Sequence, residues 1–164
     1  MSRDQELGAI ARAIIDANVY MALGTADEAG HPWVSPVFYA SAGYAEFYWI
    51  SSPEVTHSRN LGRRPQASIV VFDSKAPVGT GQAVYMSAIA QRVPEDELDR
   101  GLEIYPGPPE RGGRAFAAED LRPPAPYRLY RATVSQHSIL CPRTSGQPCP
   151  DHGRVADHRT QVTL

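Results

Sequence analysis

Lysine is almost missing from this chain. Lys75 is the only one, against fifteen arginines. A Schiff-base lysine therefore has a single candidate, and a phosphate cradle built of lysines is excluded. Cysteine is scarce as well: Cys141 and Cys149 do not make a disulfide framework. No apolar run approaches the ~20 residues of a membrane span, so no membrane partner is expected. Excess positive charge is absent, at a net −2, which argues against a nucleic-acid partner, since such a partner needs a concentrated basic surface. The first twenty residues carry Arg3, Asp4, Glu6, Arg12 and Asp16, unlike a signal peptide. The expected location is cytoplasmic, in a reducing compartment. Neither a G-x-S-x-G elbow nor an H-E-x-x-H pair occurs, and no catalytic residue is assigned.

What remains is a chain of 164 residues, 42% hydrophobic, enough for one packed domain. Residues 1–140 read as that domain and 141–164 as a polar tail, in which RTQVTL returns as one strand. Ser2 with Gln5 fits a capping box, and Leu7, Ile10, Ala11, Ile14 and Ile15 recur at helical spacing, so a helix is expected over residues 2–18. From Val19 the period becomes that of strands. VYMALGT, PWVSPVFYA and YAEFYWIS, joined by DEAG and SAG, form an antiparallel meander. The two prolines of the second strand remove ladder donors, which suits an edge. Ser52 as cap, Pro53 as first helical residue and Gly62 as terminator predict a short helix directly after the third strand. ASIVVFD, a nearly continuous apolar run, predicts a strand buried on both faces. QAVYMSAIAQRV and YRLYRATVSQHSIL are two long strands, with a helix over residues 94–105 between them. Six of the fifteen prolines lie between Pro106 and Pro126, in a segment that is either a lid or a solvated loop. Six antiparallel strands with few helices predict a mainly β fold, a closed or nearly closed barrel.

The strand-to-helix junction at residues 50–60 concentrates Ser51, Ser52, Thr56, His57, Ser58 and Arg59. A helix start with free N–H groups suits a phosphate, whereas Glu54 would repel one. GTGQAV lacks the third glycine of a dinucleotide loop and precedes a strand, so a Rossmann reading fails. Cys141, Cys149, His152 and His158 are spaced C-x7-C-x2-H-x5-H. Structural zinc sites normally carry a C-x2–4-C knuckle, which is missing here. The expectation is no metal and a solvated tail with two ordinary thiols. Trp33, Tyr48, Trp49 and Tyr85 are more large rings than one small barrel readily holds, and a homodimer interface over the aromatic strands is expected.

In their order and spacing, LGTADEAGHPWVSPVFYA, FYWIS, HSRNLGRRP, ASIVVFD and GQAVYMSAIAQRV resemble the pyridoxamine 5′-phosphate oxidase-like family of flavin-binding split β-barrels. The resemblance covers residues 19–93 well and extends weakly to residue 134. It implies a six-stranded antiparallel split barrel with flanking helices, and a homodimer with flavin mononucleotide (FMN) at the subunit interface. Carried over position by position, it implies cofactor contacts from Ser35, Pro36, Val37, Phe38, Ile50, Ser51, Thr56, His57 and Gln82. Ala40, Thr56 and His57 stand where the oxidase holds phosphate with cations. The pattern therefore does not support pyridoxamine phosphate oxidase activity itself. It fits the branch in which FMN, or the deazaflavin F420 with Arg59, Arg63, Arg64 and Arg128 around its tail, reduces a small molecule. A non-enzymatic flavin- or haem-binding barrel is the further alternative. A phosphate beside His57 would raise the pKa of its imidazole.

Overall fold

The computed structural model describes residues 2–142 and 146–164; residues 1 and 143–145, at the ends of the expected domain and in the expected tail, lie outside the described residues. Helix α1 (Arg3–Ala17) opens the chain. Its Ser2–Gln5 capping box forms as the sequence predicts, and Leu7, Ala11 and Ile15 are buried. Strands β1 (Tyr20–Ala26), β2 (Pro32–Phe38), β3 (Ala40–Ala42) and β4 (Glu46–Ser51) follow, then helix α2 (Thr56–Arg63). Strands β5 (Gln66–Phe72) and β6 (Ala83–Arg92) lead to helix α3 (Leu98–Ile104), and β7 (Arg128–Leu140) and β8 (Arg159–Val162) complete the chain.

All pairings are antiparallel, in the order β2-β1-β5-β6-β7-β4-β3, with β8 on β7. Seven strands lie on that path, yet β2 and β3 are the two halves of one bent strand, broken only at Tyr39. The first half pairs with β1 and the second with β4. The sheet thus curls into the expected split barrel of six strands, with an open seam where β2 and β4 share no ladder. Pro32 and Pro36 sit on β2, whose one ladder partner is β1, so their missing donors face the seam.

Leu23, Phe47, Trp49, Ile69, Val71, Val84 and Ile139 fill the barrel, and α1 packs on the same core. A second core of Tyr48, Leu98, Tyr105, Leu121 and Leu129 lies outside the barrel wall beneath α3. Three expectations change accordingly. The strand buried on both faces is β4, whose Phe47, Tyr48 and Trp49 are all interior, because α3 and the chain after it cover its outer side. β5 alternates instead, with Ala67, Ile69 and Val71 inside and Phe72 exposed. Tyr48 and Trp49 are consumed by the two cores and are not free for an interface; of the four rings named, Trp33 is the one with a large exposed face, at 49%.

Two helix boundaries also move. The Ser52 hydroxyl accepts the Glu54 N–H at 3.1 Å in a turn, and α2 begins only at Thr56 after Val55. The segment after Pro94 starts as a 3-10 turn, Glu95–Glu97, before α3.

Tyr39 ties the layers together. From the break between β2 and β3 its buried hydroxyl meets the carbonyls of Ile15 at 2.6 Å and Asn18 at 2.9 Å, and burial pushes its pKa up to about 12. Tyr39→Phe leaves both carbonyls short of a donor, and a loss of about 1–3 kcal/mol of unfolding free energy is expected. Urea titration measures it; an unchanged midpoint would show that the α1 junction does not depend on this hydroxyl.

Candidate cofactor site at the barrel seam

Ser35 on β2 and Ser51 on β4 stand on opposite sides of the seam. α2 lies across this end of the barrel and inserts His57 between them. The imidazole Nδ1 is 3.0 Å from Ser35 Oγ, and Nε2 is 2.9 Å from Ser51 Oγ. A neutral imidazole donates through one nitrogen and accepts through the other, so the two hydroxyls take opposite roles. Trp33 Nε1 donates to Ser35 Oγ at 2.9 Å, extending the chain to four side chains. His57 is 7% exposed, and burial pushes its pKa below the ordinary histidine value. Desolvation is the governing effect on this imidazole; the raised pKa expected from the sequence belongs to a site with phosphate bound beside it. Asn60, one turn on, donates to Thr25 Oγ1 at 3.1 Å and fixes α2 to β1.

The start of α2 offers backbone donors. Val55 supplies no side-chain cap, which leaves the first N–H groups of the helix without a side-chain acceptor. Thr56 is exposed at this end. Arg59 pairs with Glu54 at 3.0 Å, both largely exposed; surface pairs of this kind contribute little and exchange partners readily. Arg63 and Arg64 both turn to Glu28, at 2.6 Å on its carboxylate and 2.7 Å on its carbonyl. Arg128 is buried against the Ala125 and Tyr127 carbonyls. Ala40, at 2% exposure, belongs to the second core and adds no charge.

Trp33 also walls an open groove of about 540 Å³, with Val34, Ala67, Ala88 and Ile89 as its apolar lining and Ser68, Ser87 and Ser135 as polar groups. Small-molecule sites have this size and mixture. Trp33, Val34 and Ile89 are exposed there, an apolar surface of the kind that marks an interaction site.

The fold brings together Ser35, Ser51 and His57, with Thr56 at the adjacent helix start. Pro36 is exposed and Val37 buried on the same strand. Phe38 and Ile50 pack on the second core. Gln82 lies apart, in a hollow beside Ile10, Ile14 and Asp73, with its buried Oε1 unpartnered. Trp33, which the sequence offered for a dimer interface, is the participant not assigned to the site; its i, i+2 relation to Ser35 puts both on one strand face and is the signal that could have found it.

The segment between Pro106 and Pro126 is largely exposed but anchored to the barrel at particular side chains, with Leu121 buried. Arg111 donates to the Tyr39 carbonyl at 2.7 Å and lies over the rings of Phe38 and Tyr39. Tyr105 meets Phe38 edge-on. It is a strap over the end of β2.

Residues 8–141 match the family model described as pyridoxamine 5′-phosphate oxidase. No curated protein matches the sequence. A haem-binding protein from Mycobacterium smegmatis shares 21% identity at a TM-score of 0.65, over 98% of this chain and 58% of that longer one. An FAD-binding protein from Mesorhizobium loti shares 18% at 0.59, over 78% and 87% of the two chains. A structure described as an F420 reductase shares 16% at 0.54, over 77% and 94%. At these identities the likeness is one of fold.

Proposed function

Because the chain belongs to the pyridoxamine 5′-phosphate oxidase family, we propose that it is an FMN-dependent oxidoreductase whose cofactor binds at the seam between β2 and β4, in a homodimer closed over the groove face. The observation that carries this reading is the Trp33–Ser35–His57–Ser51 chain beside an uncapped helix start and an open apolar groove. An isoalloxazine needs a flat apolar wall with a few oriented polar groups, and Trp33 with the backbone of Ser35 to Phe38 and Ile50 supplies it. The phosphate falls to the N–H groups at the start of α2, the Thr56 hydroxyl and Arg59 released from Glu54. Bound there, the flavin supplies hydride transfer through its N5. His57 holds the two serines in place, and a second subunit over the groove excludes water. Gln82 joins such a site only across the subunit interface, so its part stands or falls with the dimer.

F420 is less well served. Its anionic tail needs several arginines, and Arg64 and Arg128 are engaged with backbone carbonyls, while Arg63 sits in an exposed ion pair that opens as readily as that of Arg59.

The test uses the full chain with FMN, F420 and haem in turn. FMN at 100 times its Kd should add about 2.7 kcal/mol of stability and give a two-band yellow spectrum. Light scattering should return twice the 17.9 kDa chain mass. A Soret band with haem and no response to FMN would overturn the proposal, as would a monomer that binds no flavin.

A further inference from the structure

The tail is not a solvated appendage. Cys141 and Cys149 are 6% and 1% exposed, and with His152 and His158 they bring four ligand atoms within 4.8 Å of one another. We infer that these four residues form a structural Zn²⁺ site that staples the tail to the barrel.

Two local devices build the cluster. At the end of the β7–β8 ladder the Cys141 N–H donates to the His158 carbonyl at 2.9 Å, which sets these two residues opposite each other. In the loop between, Gly153 N donates to the Cys149 carbonyl at 2.7 Å, and Cys149 N to the Arg154 carbonyl at 2.8 Å. Gly153 takes a φ of +66°, which a glycine adopts freely. This turn presents Cys149 and His152, three residues apart, to one side. The missing C-x2-C knuckle is replaced by a C-x2-H turn and a strand pair.

Four of the six ligand–ligand separations approach those of a tetrahedral shell, and the remaining two, from His158 Nε2 to the sulfurs, lie within 4.8 Å. The two Sγ atoms are 3.4 Å apart, well beyond the ~2.05 Å of a disulfide. His152 Nδ1 is 3.5 Å from Cys141 Sγ, 3.4 Å from Cys149 Sγ and 3.1 Å from His158 Nε2. With Zn–S at about 2.3 Å and Zn–N at about 2.05 Å, a tetrahedron requires about 3.8 Å between sulfurs, 3.6 Å between sulfur and nitrogen and 3.3 Å between nitrogens. Each of these four distances falls within about 0.4 Å of that. Three polar atoms crowd one imidazole nitrogen, which can donate or accept only one hydrogen bond; a shared cation satisfies all of them at once.

The outer shell agrees. His158 Nδ1 donates to the Ala156 carbonyl at 3.0 Å, fixing the tautomer that leaves Nε2 free as a ligand. Two thiolates and two neutral imidazoles cancel the charge of Zn²⁺, and soft sulfur with imidazole favours zinc over magnesium or calcium. Four protein ligands leave no open position, so the role is structural. The staple ties the end of β7 to the start of β8, and Arg3 of α1 reaches the same loop through Asp151 at 3.0 Å.

The test is metal analysis of the full chain purified under reducing conditions, with Co²⁺ as a spectroscopic substitute. About one zinc per chain is expected, and Co²⁺ should give the intense visible bands of a tetrahedral site with a sulfur charge-transfer band in the near ultraviolet. His152 is exposed, so His152→Ala spares the core; it should weaken zinc binding more than about 100-fold, since loss of an outer-shell partner alone costs 10–100-fold. His152→Cys should keep tetrahedral cobalt with stronger sulfur charge transfer. Chelation should lower the melting temperature of wild type and leave His152→Ala unmoved. Weak octahedral cobalt bands, zinc retained at full affinity in His152→Ala, or a Cys141–Cys149 disulfide in the freshly isolated protein would each overturn the assignment.

Discussion

His57→Ala should cost about 2–4 kcal/mol of stability and weaken FMN and riboflavin binding together. Both ring nitrogens are occupied by Ser35 and Ser51, so the imidazole acts as a clasp across the seam, with no donor left for a phosphate. Removing it leaves a cavity and two serines without their partner, and the wall that receives the flavin ring loosens whether or not the ligand carries a phosphate. The pH dependence has a definite sign. The buried imidazole resists protonation, while the unfolded chain takes up that proton near roughly pH 6.5. Below that pH the unfolded state binds more protons, so the stability conferred by the neutral His57 is lost as pH falls through the ordinary histidine value, and stability recovers as pH rises. His57→Ala should flatten this slope only in part, because burial also lowers the pKa of His137. Denaturant titrations at two pH values, with both ligands, provide the check. A loss confined to FMN would give His57 a phosphate contact instead, and an unchanged midpoint would deny the clasp.

Gly113→Ala should lift the strap off β2. A Cβ at residue 113 would lie 2.6 Å from Phe38 Cζ and 2.6 Å from Pro106 Cβ, closer than carbon atoms approach without displacement. Overpacking of this kind costs about 1–3 kcal/mol. Here the displaced element is a loop with little regular structure, so the damage should be local. Phe38 would lose its cover, and residues 106–126 should be cleaved several-fold faster by protease while the barrel stays folded. Limited proteolysis followed by mass spectrometry reads this directly. Equal cleavage of variant and wild type would mean that the strap is already open in solution.

The capping box at Ser2, the switch of period at Val19 and the turn clusters made α1 and the meander legible, because each depends on neighbours in sequence. What depends on distant neighbours was not. β5 has the most continuous apolar run, yet β4 is the strand buried on both faces, since α3 arrives from fifty residues downstream to cover it. Ser52-Pro53 carries the signature of a helix start, but the hydroxyl is taken by a turn and α2 waits until Thr56. In the candidate site the family pattern points to Ser35, Ser51 and His57, and the fold joins them, though by a bond network in place of charge. Gln82 answers the same pattern and lies elsewhere. The Cys/His cluster escaped the spacing rule because one of its halves is a strand pair, which no local motif records.

The path of the sheet also governs how the molecule is assembled. β7 is inserted between β6 and β4, and it is the last long strand to be synthesised. Until residue 140 has left the ribosome, β6 and β4 each present an unpaired edge. Barrel closure must wait for a contact between segments about eighty residues apart, the slow, high-separation kind of pairing. The nascent chain therefore passes through a stage with two sticky edges, when self-association competes with folding. Substitutions that weaken β7 should accordingly reduce soluble yield more than they reduce the stability of the molecules that succeed in folding.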